Sequence, residues 1–265
     1  MKTKNAVKLF LVLNIWLCVT SLLMVVATAI SLSVSLSTVG PTAVLPALLF
    51  YFIYVEDRRR VSDEDRINQP YRTQLVRRYQ RPLLASELVA LAGYQLLLIV
   101  TIRSQPEVSA LAFLLGQFPF VVLASYDWIK RFPSFDSIAV GGTWAFVIVF
   151  SVLLPAGLSL SAEGVVVFSA WFLIVFAGVE SRNLQDIEGD EQADKTTLAA
   201  RLGPTATKSM AVVSKAAGIV IFWNVSGHTV AGIVILYLLI LRTFRVLTRR
   251  QLSRENDRYR AVSSS

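Results

Sequence analysis

An acidic segment late in the chain holds the residues best suited to bind a metal ion. Asp186 and Asp190 are four residues apart, and Asn183 lies three residues before Asp186. On a helix these three positions form one stripe of the surface. Oxygen atoms on a shared face suit Mg²⁺, which proteins hold with one or two carboxylates together with the phosphate oxygens of a substrate. The spacing alone is equally typical of a solvated loop of mixed charge.

A second acidic segment, earlier in the chain, is less regular. Asp57 and Asp65 are eight residues apart and would share a face of a continuing helix, with Glu64 close to the same stripe. The residue midway between the two aspartates is Val61, which has no atom that can bind a metal. This segment is therefore a weaker candidate for a metal site, and an ordinary cluster of interfacial charges explains it as well.

A proline follows the first acidic segment. Pro70 is expected to end the helix there, because the residue before a proline avoids the α conformation. Asn68 and Arg72 flank this proline, in positions suited to a polar contact or a contact with a phosphate group.

Membrane helices must position both segments, because the composition is not that of a soluble domain. Of the 265 residues, 54% are hydrophobic and only 17% are charged, against roughly 25% charged in soluble domains. A helix needs about 20 mostly apolar residues to cross a bilayer. The sequence predicts an all-α polytopic transmembrane helical bundle, residues 1–265 forming a single membrane domain. Its predicted spans, about eight, are 9–34, 38–56, 83–102, 108–127, 136–155, 163–181, 209–224 and 228–247.

The basic residues predict the orientation of these spans. Of the 26 Lys and Arg, only Arg103 lies in a predicted outer loop, and three, Lys215, Arg242 and Arg245, lie within predicted spans. Cytoplasmic loops carry the excess of basic residues, so both termini, the loops 56–82 and 180–208 and the basic tail 248–265 are predicted to be cytoplasmic. Four spans separate the two acidic loops, which predicts two similar halves of about four helices around a central cavity. Topology and anionic lipid explain the basic charge without nucleic acid.

The second acidic segment resembles a long motif of the UbiA family of intramembrane prenyltransferases. The family pattern DxEGDxxxGKxTLxxRLG is matched here by one nearly continuous run of residues. That run is Asp186-Ile187-Glu188-Gly189-Asp190, Lys195, Thr197-Leu198 and Arg201-Leu202-Gly203. The resemblance covers roughly residues 10–225, and the family commonly has nine spans where about eight are counted here.

The first acidic segment is similar to the other motif of that family, but with departures. Its later positions match as Asp65, Asn68, Pro70 and Arg72, whereas Val61 stands where the family has a central aspartate. A weaker likeness is the stretch that begins at Tyr126 and contains Lys130-Arg131, similar to the family's YxxxKR loop.

The resemblance implies a reaction and a set of site residues. The reaction is Mg²⁺-dependent transfer of an isoprenyl group from a polyprenyl diphosphate, for example geranylgeranyl diphosphate, to a lipophilic acceptor in the cell membrane. The implied catalytic carboxylates are Asp57, Asp65, Asp186 and Asp190. The implied metal ligands are Asp57, Glu64, Asp65, Asn183, Asp186 and Asp190. The implied diphosphate-binding residues are Asn68, Arg72, Lys130 and Lys195.

Two other functions are compatible with the sequence. A UbiA-like paralogue could bind a prenyl diphosphate without catalysis, which Val61 favours and the intact second motif opposes. A membrane transporter built from two repeats is the other alternative, because transporters commonly bind substrates between such repeats near the membrane midplane. Against it, the ionisable residues gather at the cytoplasmic ends of the predicted spans. The acceptor and the length of the prenyl chain are not determined by the sequence.

Overall fold

The computed structural model describes residues 3–60, 70–104, 109–129, 132, 135–159, 161–192 and 197–263. These described residues form helices and connecting turns, with no strand among them, which confirms the predicted all-α membrane bundle. The helices are α1 (Thr3–Val12), α2 (Trp16–Ser31), α3 (Leu36–Val39), α4 (Leu45–Arg59), α5 (Pro70–Arg78), α6 (Gln80–Arg103), α7 (Ser109–Ala124), α8 (Tyr126–Ile129), α9 (Phe135–Leu153), α10 (Ala162–Gln192) and α11 (Leu198–Ser263).

Within the described chain, five helical stretches are long and apolar enough to cross a membrane. They are Leu36–Arg59, Gln80–Arg103, Phe135–Ala156, Ala162–Leu184 and Leu198–Asn256. Two shorter apolar helices, Trp16–Ser31 and Ala110–Ala124, coincide with two further predicted spans. The stretch that ends at Asn256 contains both of the last two predicted spans.

Backbone breaks divide two of the apolar stretches. Gly227 has φ +75°, a conformation that favours glycine, and it separates the predicted spans 209–224 and 228–247. Asn14 has φ +57° in the turn between α1 and α2. The prediction of one continuous helix over 9–34 was therefore wrong. Asparagine adopts this left-handed conformation more readily than most residues, and hydropathy alone does not detect it.

The chain forms two compact units that interleave along the sequence. The first unit consists of Met1–Leu22, Pro46–Leu96 and Leu236–Ser265. The second unit consists of Leu23–Leu45 and Leu97–Ile235. Neither unit coincides with the first or the second half of the chain, so the predicted likeness between two halves stays a prediction.

The core of the first unit joins helices that are distant in sequence. A buried cluster of Leu13, Val55, Val76 and Leu83 brings together the turn after α1 and the helices α4, α5 and α6. The ring of Trp16 stacks on Phe244 of α11 at a centroid distance of 5.5 Å. This core packs α4 against α5, and these two helices carry the described residues of the first motif.

The core of the second unit is built around α10. The indole of Trp171 is fully buried, donates from Nε1 to Thr28 Oγ1 at 2.8 Å and meets the Phe222 ring edge to face at 4.8 Å. Gly218 of α11 lies so close to α10 that an added Cβ would be 2.6 Å from Ile174 Cγ1. Small residues allow such close approach of membrane helices. This packing holds the helix that carries the second motif.

Candidate active site

Helix α10 carries the first part of the second motif past its own apolar stretch. Ser161 caps its first turn by accepting a hydrogen bond from the Gly164 backbone N–H at 3.1 Å, and Glu163 lies in that turn. The helix has 31 residues, about 46 Å at 1.5 Å per residue, whereas a bilayer core is about 30 Å thick. Its last turns therefore extend past the apolar stretch Ala162–Leu184.

The metal-ligand positions of the second motif lie on this extension. The backbone is helical through Asn183, Asp186 and Asp190, so these positions form one stripe of α10. The side chain of Asn183 is among those described, whereas those of Asp186 and Asp190 lie outside the described side chains. The helical spacing that the sequence argument requires is thus present in the backbone.

Asn183 is held by a hydrogen-bond chain that sequence reasoning missed. Its Nδ2 donates to Ser137 Oγ of α9 at 3.3 Å, and Ser137 Oγ donates to Glu180 Oε1 at 2.5 Å. Ser137 and Glu180 are fully buried. Because the single hydroxyl hydrogen of Ser137 points to the carboxyl group, its oxygen is available to accept from the amide.

This chain orients the Asn183 amide. With Nδ2 bound to Ser137, the carbonyl oxygen Oδ1 is the atom left for a ligand, and oxygen is the atom of an amide that binds hard cations. One amide oxygen and two carboxylates on a shared stripe form an oxygen donor set, which suits Mg²⁺. The residues present therefore fit the metal that the resemblance implies.

One feature of the sequence could have indicated Glu180. It is an ionisable residue at the end of an apolar stretch, three residues before Asn183 and therefore on the same side of the helix. Acidic residues inside membrane segments are rare and usually functional. Ser137 carries no comparable indication, because a serine near the start of a membrane helix is common.

The last part of the second motif is a short, capped piece of helix. Thr197 Oγ1 accepts a hydrogen bond from the Ala200 backbone N–H at 3.3 Å, which starts α11. Gly203 then interrupts the helix with φ +78°, and Pro204 follows. Threonine and glycine of the motif therefore have structural roles here, starting and ending the turn that holds Arg201.

The first motif begins at the end of α4. Asp57 is half exposed, and its Oδ2 lies 3.7 Å from Nη1 of the buried Arg58. Helix α4 ends at Arg59, and Asp65 lies outside the residues that the structure describes. The expectation that Asp57 and Asp65 share a helical face therefore stays a prediction. The basic side chains in the last turn of α4 stabilise its C-terminal end.

An ionic network anchors this end of α4 to α6. Arg59 Nε donates to Glu87 Oε2 at 2.6 Å, and Arg59 Nη2 donates to Glu56 Oε2 at 3.0 Å. Glu56 also accepts from Arg60 Nε at 2.6 Å. Two of the arginines that predicted the membrane orientation therefore have a second role, which is to position the helix end next to Asp57.

Pro70 and Arg72 lie in the first turn of α5. Pro70 is the first residue of this helix, a position where proline is favoured because its missing N–H needs no partner. The structure thus shows Pro70 beginning a helix, and the helix end expected before it falls on residues 61–69, outside the described part of the chain. Arg72 is buried, with 4% of its surface exposed.

The remaining predicted site residues lie outside the described part of the chain. They are Glu64, Asp65, Asn68, Lys130 and Lys195. Asp57 and Arg72 belong to the first unit, and Asn183, Asp186 and Asp190 belong to the second. The common site predicted for the two motifs stays a prediction.

The fold and the two motif segments are those of a helical membrane protein, and the comparisons with known proteins give its family. The model of the UbiA prenyltransferase family matches residues 62–264, and the chain therefore belongs to this family. The match begins after the first motif's Asp57 and extends past residue 225, where the resemblance was predicted to end. The comparison with curated proteins and the comparison with solved structures each gave no significant match. UbiA proteins are membrane prenyltransferases.

Proposed function

We propose that the protein transfers an isoprenyl group from a polyprenyl diphosphate to a lipophilic acceptor in the membrane, and that the reaction depends on Mg²⁺. The observation that carries the proposal is the family match over residues 62–264, which includes the intact second motif. The chain's apolar helices are suited to a substrate whose tail lies among lipids.

Asn183, Asp186 and Asp190 would hold the metal on the stripe of α10. Bound Mg²⁺ would neutralise negative charge on the departing diphosphate. Arg72, Lys130 and Lys195 would add fixed positive charge, each bond to a charged group contributing about 1.5–3 kcal/mol. Asp57, Glu64 and Asp65 are proposed as the ligands of a second ion, with Asn68 at the diphosphate.

The transfer itself breaks the C–O bond to diphosphate, and the bonding electrons leave with the diphosphate oxygen. The resulting allylic cation accepts an electron pair from the acceptor, which then loses a proton. Fixed cations near the leaving group favour the first step because they interact most strongly when charge has developed on the diphosphate. Surrounding apolar helices keep water from capturing the cation.

The test is release of diphosphate from geranylgeranyl diphosphate by purified protein, with Mg²⁺ and with a chelator. We expect Asp190→Ala to abolish the Mg²⁺-dependent release because it removes a ligand from the stripe. Glu191→Ala is the matched control, since it removes a neighbouring carboxylate that lies about 100° away around the helix. Equal loss in both variants, or full activity in Asp190→Ala, would contradict the assignment.

The second candidate is a paralogue that binds prenyl diphosphate without turnover, and Val61 is the observation that favours it. This candidate predicts saturable binding of geranylgeranyl diphosphate with no diphosphate release from the natural chain. It also predicts that Val61→Asp, which restores the family's carboxylate, creates Mg²⁺-dependent release. Release by the natural chain rejects this candidate.

A further inference from the structure

A cavity in the first unit lies between α1 and α5. It has a volume of about 260 Å³ and is lined by Lys8, Leu9, Tyr71, Leu75, Arg78 and Tyr79. We propose that this cavity binds the phosphate group of an anionic membrane lipid. The proposal does not depend on the prenyltransferase reaction, and none of the lining residues is a predicted ligand of metal or diphosphate.

Two cations of the cavity are held against aromatic rings. Lys8 Nζ lies 4.6 Å from the centroid of the Tyr71 ring, and the Arg78 guanidinium lies 5.9 Å from the centroid of the Tyr79 ring. Such contacts attract a cation to the face of the ring and so favour these side-chain positions. The cavity therefore presents two positive groups and two phenols, all of which can donate to phosphate oxygens.

The charge balance of the cavity is positive. Lys8 Nζ forms an ion pair with Glu255 Oε2 at 2.9 Å. Among the described residues, Arg78 forms no ion pair with a carboxylate. Burial lowers the pKa of Lys8, but hydrogen bonds to Tyr71 and Glu255 raise it by more, so that this pKa lies above its usual value. Lys8 is therefore charged at neutral pH, and the two cations exceed the one carboxylate by one positive charge.

The apolar part of the cavity favours a lipid over a free anion. Leu9 and Leu75 line it together with the charged groups, and Lys8 directly precedes the apolar run that starts at Leu9. Basic residues next to an apolar segment lie at the depth of lipid headgroups. A lipid can place its phosphate against Lys8 and Arg78 and its first acyl carbons against the leucines.

Segments from both ends of the chain build this cavity. Besides the ion pair of Lys8 with Glu255, the Tyr71 backbone N–H donates to Asn256 Oδ1 at 3.2 Å. Thr248 Oγ1 donates to the Leu11 carbonyl oxygen at 3.3 Å. Lys8 and Leu9 lie outside the residues that match the family model, whereas the other four lining residues lie within them.

The test measures lipid binding to the purified full-length chain by native mass spectrometry. The probes are phosphatidylglycerol, whose headgroup is anionic, and phosphatidylcholine, whose phosphate is neutralised by its own cation. We expect natural protein to bind phosphatidylglycerol more tightly, and the double variant Lys8→Gln/Arg78→Gln to lose about tenfold in affinity for it, the effect of 1.4 kcal/mol. Arg249→Gln/Arg250→Gln is the matched control, because it removes the same charge from exposed positions of α11.

Each outcome has a defined meaning. Equal loss in the two double variants, or no preference for phosphatidylglycerol, would overturn the proposal. Millimolar inorganic phosphate that displaces the lipid would assign the cavity to the free anion, and absence of displacement would assign it to the headgroup. If the double variant does not fold, the single variants Lys8→Arg and Lys8→Gln test the proposal instead. Lys8→Arg keeps the positive charge and should keep the binding of phosphatidylglycerol, whereas Lys8→Gln should weaken it. Protection of the buried Cys18 thiol verifies that each variant is folded.

Discussion

Replacing Ser137 by alanine tests the hydrogen-bond chain that orients Asn183. The variant removes the donor to Glu180 and the acceptor of the Asn183 amide. Glu180 is fully buried, and its Oε2 has no hydrogen-bond partner among the described residues, so the carboxyl group would lose its described donor. Leaving a buried acceptor unsatisfied costs about 1–3 kcal/mol, and loss of the longer bond to Asn183 adds roughly 0.5–1 kcal/mol. We expect the free energy of unfolding to fall by about 2–3 kcal/mol.

The assay is unfolding in mixed micelles by titration with sodium dodecyl sulfate, followed by the fluorescence of the five tryptophans, of which Trp144 and Trp171 are buried in the same unit. Ser151→Ala is the matched control on α9. Its hydroxyl is equally buried, but it donates to the Ile148 carbonyl of its own helix. If Ser137→Ala lowers the free energy of unfolding no more than this control does, the hydrogen bond from Ser137 to Glu180 does not contribute the stability calculated above. Replacing both partners with apolar residues, in Ser137→Ala/Glu180→Leu, should recover most of the loss.

The same variant has a second readout that a purely structural role would not change. Without Ser137 the Asn183 amide can turn its nitrogen toward the ligand, so the Mg²⁺ concentration for half-maximal diphosphate release should rise by about tenfold, as outer partners of metal ligands typically contribute. In the Asn183→Asp background both side-chain atoms are oxygens and no orientation is needed. The effect of Ser137→Ala on Mg²⁺ dependence should therefore disappear there. An equal rise in both backgrounds would refute the orientation argument.

Two further predictions concern packing and charge. Glu87→Gln weakens the ion pair with Arg59, which still keeps its contact with Glu56, so we expect the free energy of unfolding to fall by less than the roughly 3–5 kcal/mol of a fully broken buried pair. The rate of labelling of the buried Cys18 thiol in the same unit measures this fall and should increase. Labelling as slow as in the natural chain would contradict the prediction. Gly218→Ala places a Cβ 2.6 Å from Ile174 Cγ1 and should lower the free energy of unfolding by about 1–3 kcal/mol in the dodecyl sulfate titration. Gly232→Ala is the control and should have no such effect, because an added Cβ there has nothing within 4 Å. Equal effects of the two variants would reject the close approach of α11 to α10 at Gly218.

Several features of this protein were determined by its sequence because they depend on neighbouring residues only. Apolar stretches of sufficient length predicted the helical membrane bundle, since hydropathy is summed along a continuous segment. The second motif predicted the family. The helical spacing of Asn183, Asp186 and Asp190 was predictable because all three lie on one continuous helix, α10. The break at Gly227 lies in the gap between the predicted spans 209–224 and 228–247, and glycine adopts its positive φ without steric cost.

Other features were decided by the tertiary structure, because they depend on which helix faces lie against each other. Ser137 and Glu180 are 43 residues apart, and Lys8 and Glu255 lie near opposite ends of the chain. No spacing rule connects such residues, since the order and rotation of packed helices determine which side chains meet. The cavity beside Lys8 and the support of Asn183 therefore became visible only when the helices were assembled, whereas the second motif was readable from the sequence.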